Sequence, residues 1–239
     1  MDRVDMIVMG VGAAEGLGAA VARRFAREGC RVFIAGRTQA KLDQVVAGIR
    51  DAGGAAEAVM ADATDEAAVA ALFDRAPMLG AAVFNAGNNV RSPFRELGAD
   101  VFEAAWRVNT LGGFITGREA ARRMVPLGRG TLIFTGATAS LRGAAEFAAF
   151  AAAKAGLRAV AQSAARELAR LGLHVAHVVN DGGIDGERLR SRSPQRVEAA
   201  GPDGLLDIDA IAEAYWQLHM QHHSAWTHEL DLRPYKERF

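Results

Sequence analysis

The sequence predicts an α/β fold: a Rossmann-type, doubly wound sheet of seven parallel strands with helices on both faces, a three-layer α/β/α sandwich. Two patterns carry this expectation. Short, continuously apolar runs alternate with amphipathic segments along most of the chain, and strands apolar on both faces belong to sheets covered on both sides. Small and polar residues follow each apolar run, as expected where a ligand lies against the carboxyl ends of parallel strands.

The strands expected, in order, are "MIVMG", "RVFIAG", "AAEAVMA", "AAVFNAG", "GTLIFTG", "LHVAHVV" and "AWTHELDL". Between them, helical spacing of apolar residues marks "GLGAAVARRFAREG", "TQAKLDQVVAGIRDAGG", "TDEAAVAALFDRA", a longer stretch over 100–124, and "AAEFAAFAAAKAGLRAVAQSAARELARLG". The strand exits are "GVGAAEGLG", "GRT", "DAT", "NAGNN", "TGATAS" and "NDGGID", and the fold brings these six to one cleft. Residues 185–206, "DGERLRSRSPQRVEAAGPDGLL", are charged, contain two prolines and show little periodicity. A substrate lid and a surface loop both fit that composition.

The chain has 239 residues, enough for a substantial core, and no linker divides it, so residues 1–239 are expected to form a single domain. Lys+Arg and Asp+Glu are equal at 28 each. Without a basic excess, general nucleic-acid binding is not expected. Cys30 is the only cysteine, which rules out an intrachain disulfide or a cysteine-based metal cluster. The first apolar run is too short for a secretory core and no run approaches a membrane span, so the expectation is a cytoplasmic protein.

Gly12, Gly16 and Gly18 form G-x-x-x-G-x-G directly after a strand and at the opening of a helix. Glycine permits the sharp turn and a close backbone approach to a pyrophosphate, and the helix N-terminus favours its charge. This context indicates a dinucleotide site. After the second strand, Gly36 and Arg37 stand where an acidic residue would bind both ribose hydroxyls. Arg37 can hold a 2′-phosphate through a forked contact, which favours NADP(H) over NAD(H). Glu15 opposes that preference by adding negative charge near the same ribose, and NAD(H) remains an alternative.

These residues resemble the short-chain dehydrogenase/reductase family over essentially the whole chain. The matching pieces occur in the family's order: "GAAEGLG", Asp62 in "ADAT", "NAG" at Asn85 to Gly87, Asn109 in "VNTLGGF", and Lys154 on the long helix after the fifth strand. The resemblance implies a cofactor site of Gly12, Ala14, Glu15, Gly16, Leu17, Gly18, Gly36, Arg37, Thr38, Asp62, Ala63, Asn85, Ala86, Gly87 and Lys154, with Gly182 and Ile184 after the sixth strand. In the family a tyrosine four residues before the lysine, and a serine about thirteen residues earlier, carry proton transfer. Carried over, the tyrosine position is Phe150 and the serine position is Ala137. A longer spacing used by some enoyl reductases points to Phe147, again without a hydroxyl. The family's Pro-Gly after the sixth strand is replaced by "NDGGID". Asn109 and Lys154 remain as catalytic candidates, with Lys154 better suited to binding cofactor than to supplying a proton.

Replacement donors are sought nearby. Thr138 adjoins the blank serine position and is the third catalytic candidate; Thr135 and Ser140 share its loop. Glu146 and Asp181 would serve as acids if burial raised their pKa values, and Asn88, Asn89 and Arg91 follow "NAG". His174, His177, His222, His223 and His228 lack zinc-site spacing, so no metal is expected. The family's last strand often supports tetramers, making Trp226 and Tyr235 candidate anchors of a dimer or tetramer. The expected activity is NADP(H)-dependent reduction of a small molecule with an activated C=C or C=N bond. The alternatives are a non-catalytic cofactor-binding homologue and a non-redox dehydratase or cyclase.

Overall fold

Two of the strands are buried at every residue and three more at all but one, because their side chains meet apolar layers on both faces. In the computed structural model, which describes residues 4–237, the first strand β1 (Asp5–Met9) is followed by α1 (Leu17–Arg27), β2 (Arg31–Gly36), α2 (Gln39–Asp51), β3 (Ala55–Met60), α3 (Glu66–Asp74) and β4 (Leu79–Phe84). Then come α4 (Ala99–Trp106), a π-helical turn at Arg107–Leu111, α5 (Gly112–Met124), β5 (Gly130–Thr135), α6 (Ala148–Leu168) and β6 (Leu173–Asn180). The chain ends through β7 (Ile184–Asp185), α7 (Glu187–Arg192), α8 (Pro194–Ala200), β8 (Leu206–Asp207), α9 (Ile208–His219) and β9 (Glu229–Leu232).

The main sheet has seven parallel strands in the order β3-β2-β1-β4-β5-β6-β9. Strand order reverses between β1 and β4, so the exits of these neighbours diverge and leave a crevice. On one face, Phe25 of α1 and Ile211 and Tyr215 of α9 pack over Val8, Ile34 and Val178. On the other, Phe73 of α3, Ile115 of α5 and Leu157 of α6 cover Ile7, Phe84 and Phe134. Burying one large apolar side chain in such layers contributes about 1.5–3 kcal/mol.

Three parts of the expected layout change. Helix α9 lies in a stretch where no element was expected. Asp207 caps it by accepting from the Asp209 and Ala210 amides at 2.9 and 2.8 Å. Residues 185–206 are not an irregular loop: they carry α7 and α8, and β7 pairs with β8 at the base of the excursion. The last strand is also shorter than "AWTHELDL", because His223–Ala225 form a 3-10 turn first. Among the described residues no helix is long and apolar enough to cross a membrane.

Candidate active site

The exits of β1, β2 and β4 are locked together by glycines. Gly10 has φ +98°, and a Cβ there would meet the Ala86 nitrogen at 2.2 Å. A Cβ on Gly36 would lie 2.3 Å from the Val11 oxygen, and one on Gly18 would lie 2.9 Å from Asn85 Nδ2. Asn85 closes this junction by donating from Nδ2 to the Gly10 carbonyl at 3.0 Å. Gly10 was not among the glycines singled out from the sequence, although its place directly after the strand was a usable signal. Gly12 differs from these, since no protein atom lies within 4 Å of its hypothetical Cβ.

Helix α1 starts at Leu17, which is buried, and its cap residue Gly16 offers no side-chain hydrogen bond. The first-turn amides thus stay available to an anion. Ala14 holds the loop by accepting from Arg23 Nη1 at 2.7 Å, and the exposed Glu15 uses its carbonyl to accept from the Glu187 amide at 2.8 Å.

At the far side of the crevice, Asp62 Oδ1 accepts from the Thr64 amide and hydroxyl at 2.9 and 2.8 Å. Burial pushes the Asp62 carboxyl up, but those two bonds and the Arg37 charge outweigh it and hold it below its ordinary range. Arg37 is 70% exposed and 3.8 Å from Asp62, so its guanidinium retains freedom to reach a ligand. Thr38 caps α2 without using its hydroxyl. Ala63 is buried against Gly112.

Asn109, Gly87 and Lys154 form the inner end. Asn109 lies in the π-helical turn and donates from Nδ2 to Ala105 O, four residues before it, at 2.9 Å. The same Nδ2 reaches Asn88 Oδ1 at 2.7 Å. Asn109 is fully buried and its Oδ1 has no partner. A Cβ on Gly87 would lie 2.9 Å from that Oδ1 and 3.5 Å from Lys154 Nζ.

Lys154 is buried and donates to the Thr135 carbonyl at 2.8 Å. Burial, with a smaller contribution from the Arg188 charge, lowers its pKa to about 8. The Thr135 side chain is fixed from behind by the buried Tyr215, whose hydroxyl donates to Thr135 Oγ1 at 2.9 Å. One turn before Lys154, the Phe150 ring centroid is 6.0 Å from Nζ.

The sought replacement acids are engaged elsewhere. The Thr138 hydroxyl donates to Asp181 Oδ1 at 2.6 Å. Asp181 is fully buried, and Arg142 and Arg233 approach it at 3.2 and 3.1 Å. Burial alone would raise its pKa, but Thr138, Arg142 and Arg233 hold it below the ordinary carboxylate range. The condition on which Asp181 would serve as an acid is therefore not met, because its partners outweigh desolvation. Glu146, at φ 68°, accepts from Arg91 Nε at 2.6 Å. Gly182 has φ +155° and a Cβ there would meet Pro234, while the half-buried Ile184 pairs with Leu206.

His177 is wholly buried, and desolvation lowers its pKa to about 4 despite Nδ1 facing Glu229 Oε2 at 3.1 Å. No metal-binding group of His, Cys, Asp or Glu exists among the described residues. Trp226 stacks on His174 at 5.0 Å, whereas Tyr235 is exposed.

Sequence and structural comparisons agree with this architecture. The family model described as short chain dehydrogenase matches residues 6–196. The cis-4-hydroxycyclohexanecarboxylate dehydrogenase of Sinomonas cyclohexanicum is 36% identical over 157 residues, 62% of this chain; the match spans 61% of that relative's length. The crystal structure of a short-chain dehydrogenase from Rhodopseudomonas palustris superposes with TM-score 0.84 at 42% identity, covering 98% of this chain and 100% of the other. A metagenomic short-chain oxidoreductase in complex with NADP gives TM-score 0.81 at 26% identity, covering 98% of each. With the family model spanning most of its length and the same fold in these relatives, the chain belongs to the short-chain dehydrogenase family.

Proposed function

We propose that the chain is an NADP(H)-dependent oxidoreductase that works on a small molecule without a tyrosine acid, reducing an activated C=C or C=N bond. The observation that carries this is the inner end of the cleft, where buried Lys154 and the unpartnered Asn109 Oδ1 flank Gly87 while Phe150 occupies the adjacent turn. The names of the relatives and the NADP held by the metagenomic oxidoreductase support the redox assignment.

The residues present fit a dinucleotide. The uncapped first turn of α1 and the open face of Gly12 suit a pyrophosphate. Asn109 Oδ1 would accept from a hydroxyl, and Lys154 Nζ would donate to ribose oxygens. Arg37, exposed and without a hydrogen-bonded carboxylate, suits a 2′-phosphate. The bound cofactor would supply hydride. Residues 185–206 cover the cleft as a lid, and the domain spans the full sequence as a member of a dimer or tetramer.

With Phe150 and Ala137 at the family's tyrosine and serine positions, neither position offers a hydroxyl to a developing alkoxide. A positioned acid is worth about 10²–10⁴-fold, so ketone reduction loses most there. An iminium becomes a neutral amine and an enone an enolate, products that depend less on such an acid. The test is cofactor oxidation across a panel of ketones, enones and cyclic imines at saturating NADPH. Turnover of enones or imines above ketones is expected, and no oxidation on any of the three classes would refute the reading. In Phe150→Tyr/Ala137→Ser, ketone reduction should rise.

One observation favours a second reading, a homologue that binds cofactor without turnover: Thr138, Asp181 and Glu146 are all committed to partners within the chain. Tight NADPH binding with no turnover on the same panel would select it.

A further inference from the structure

Two cations converge on Gly87, and among the described residues no ion pair joins either of them to a carboxylate. Arg188 Nη1 donates to the Gly87 carbonyl at 3.3 Å, on the residue whose hypothetical Cβ lies 3.5 Å from Lys154 Nζ. Each charge is unfavourably placed. Arg188 adds to burial in lowering Lys154, and burial with Arg192 lowers Arg188 itself. Arg190 in the same segment is satisfied differently, gripping Asp185 at 2.7 and 3.1 Å. Arg188 has only a carbonyl among the described residues.

The backbone leading to Arg188 is fixed on the glycine loop. The Glu187 amide donates to Glu15 O at 2.8 Å, and a Cβ on Gly186 would lie 2.8 Å from that oxygen and 3.8 Å from the Gly16 Cα. The Glu187 carboxylate lies 3.9 Å from Lys41. From this anchor the Arg188 side chain runs from the N-terminus of α1 to Gly87, the path between the phosphate and ribose ends of the cleft. A neutral carbonyl at 3.3 Å is a weak partner for a guanidinium. A phosphate oxyanion gives shorter, stronger, forked bonds.

We propose that Arg188 binds the pyrophosphate of the dinucleotide and is the contact through which residues 185–206 close over it. This rests on the reading of the cleft as a dinucleotide site. The diphosphate charge would also offset part of the mutual repulsion of Arg188 and Lys154.

The experiment is fluorescence titration of NADPH and NADH into the full chain as wild type, Arg188→Gln, Arg188→Lys and Arg37→Gln. Both dinucleotides carry the pyrophosphate, so Arg188→Gln should weaken both by the same factor, about tenfold to a hundredfold for a charged hydrogen-bond partner. Arg188→Lys should lose less, and Arg37→Gln should weaken NADPH alone. Unchanged binding of both dinucleotides in Arg188→Gln overturns the proposal, as does a loss confined to NADPH, which would place Arg188 on the 2′-phosphate. Arg188 makes one long hydrogen bond, to a backbone carbonyl, so unaltered melting temperatures are expected. If Arg188→Gln melts lower, the comparison rests on Arg188→Lys, where equal affinity to wild type counts against the proposal. Should wild type bind neither dinucleotide, the functional reading fails separately, and inorganic pyrophosphate decides Arg188. A rise in wild-type melting temperature that is lost in Arg188→Gln supports it; no rise, or the same rise in both, overturns it.

Discussion

Lys154→Met tests whether the inner end of the cleft holds a buried cation at a cost to the fold. Lys154 is 5% exposed and its one hydrogen bond goes to a neutral carbonyl. Its pKa falls from 10.5 to about 8 in the folded protein. The sign follows from proton counts. Between those two values the unfolded chain binds more protons at this position than the fold does, so stability rises with pH there. Below about pH 8 the penalty is fully present, worth about 3 kcal/mol at roughly 1.4 kcal/mol per pH unit of displacement. Above 10.5 it vanishes. Methionine fills similar volume without charge but leaves the Thr135 carbonyl unsatisfied, an opposing cost of about 1–3 kcal/mol.

The two effects separate by pH, because the orphaned carbonyl does not titrate. Urea unfolding of wild type and Lys154→Met should be measured at pH 7, 8, 9 and 10, with stabilities compared at equal m-values. Wild type should gain about 2 kcal/mol on the variant between pH 8 and pH 10. Other titrating groups cancel in the difference. A difference that stays flat within about 0.5 kcal/mol over that range would refute the reasoning, since it would mean that Lys154 titrates as a solvated lysine does.

The remaining predictions concern the frame around the site. Gly36→Ala should destabilise by about 1–3 kcal/mol, because its Cβ would lie 2.3 Å from the Val11 oxygen; Gly12→Ala, with open space, should leave the melting temperature unchanged while weakening NADPH binding. Asp181→Ala should cost up to about 3–5 kcal/mol, reduced by the half-exposure of Arg142, because Thr138, Arg142 and Arg233 lose a shared acceptor; chemical denaturation at pH 7 measures it. Because Asp181 is held below the ordinary range, its contribution is complete above that range and is lost as pH falls through its folded value, and an acid titration of wild type against the variant should converge there. Phe25→Ala should lose about 3–5 kcal/mol, since Phe25 is fully buried with its ring 5.1 Å from that of Trp216; thermal unfolding checks it.

What the sequence disclosed follows from how local each signal is. The five continuous apolar strands were legible because both faces are covered, and the glycine loop because a strand, a turn and a helix follow within a few residues. Helix α9 was legible in principle: Ile208, Ile211, Ala212, Tyr215 and Leu218 recur at helical spacing behind the capping Asp207. The π turn under Asn109 has no such signature, since one extra residue per turn leaves composition unaltered. Helices α7 and α8 are short, and their placement depends on the β7–β8 pair and on Glu15, contacts between residues far apart in sequence. Asp181 shows the same limit in electrostatic form. Burial was foreseeable at the end of a core strand, but the direction of its pKa shift was decided by Thr138, Arg142 and Arg233, which only the fold brings to it.

Lys154 and Asn109 together indicate what such a frame is suited to hold. For stability alone, an apolar side chain at 154 and an alanine at 109 would remove a buried charge and an unsatisfied oxygen. Both groups border the same glycine, and Gly87 has no Cβ to fill the space between them. A ligand that brings hydroxyls and negative charge to that space satisfies Asn109 Oδ1 and Lys154 Nζ at once, converting two local costs into binding energy. Phe150 contributes no hydrogen bond to either group. On the proposed reading, Lys154 and Asn109 form the binding half of the site, and the proton for any reaction comes from a group other than the residue at position 150.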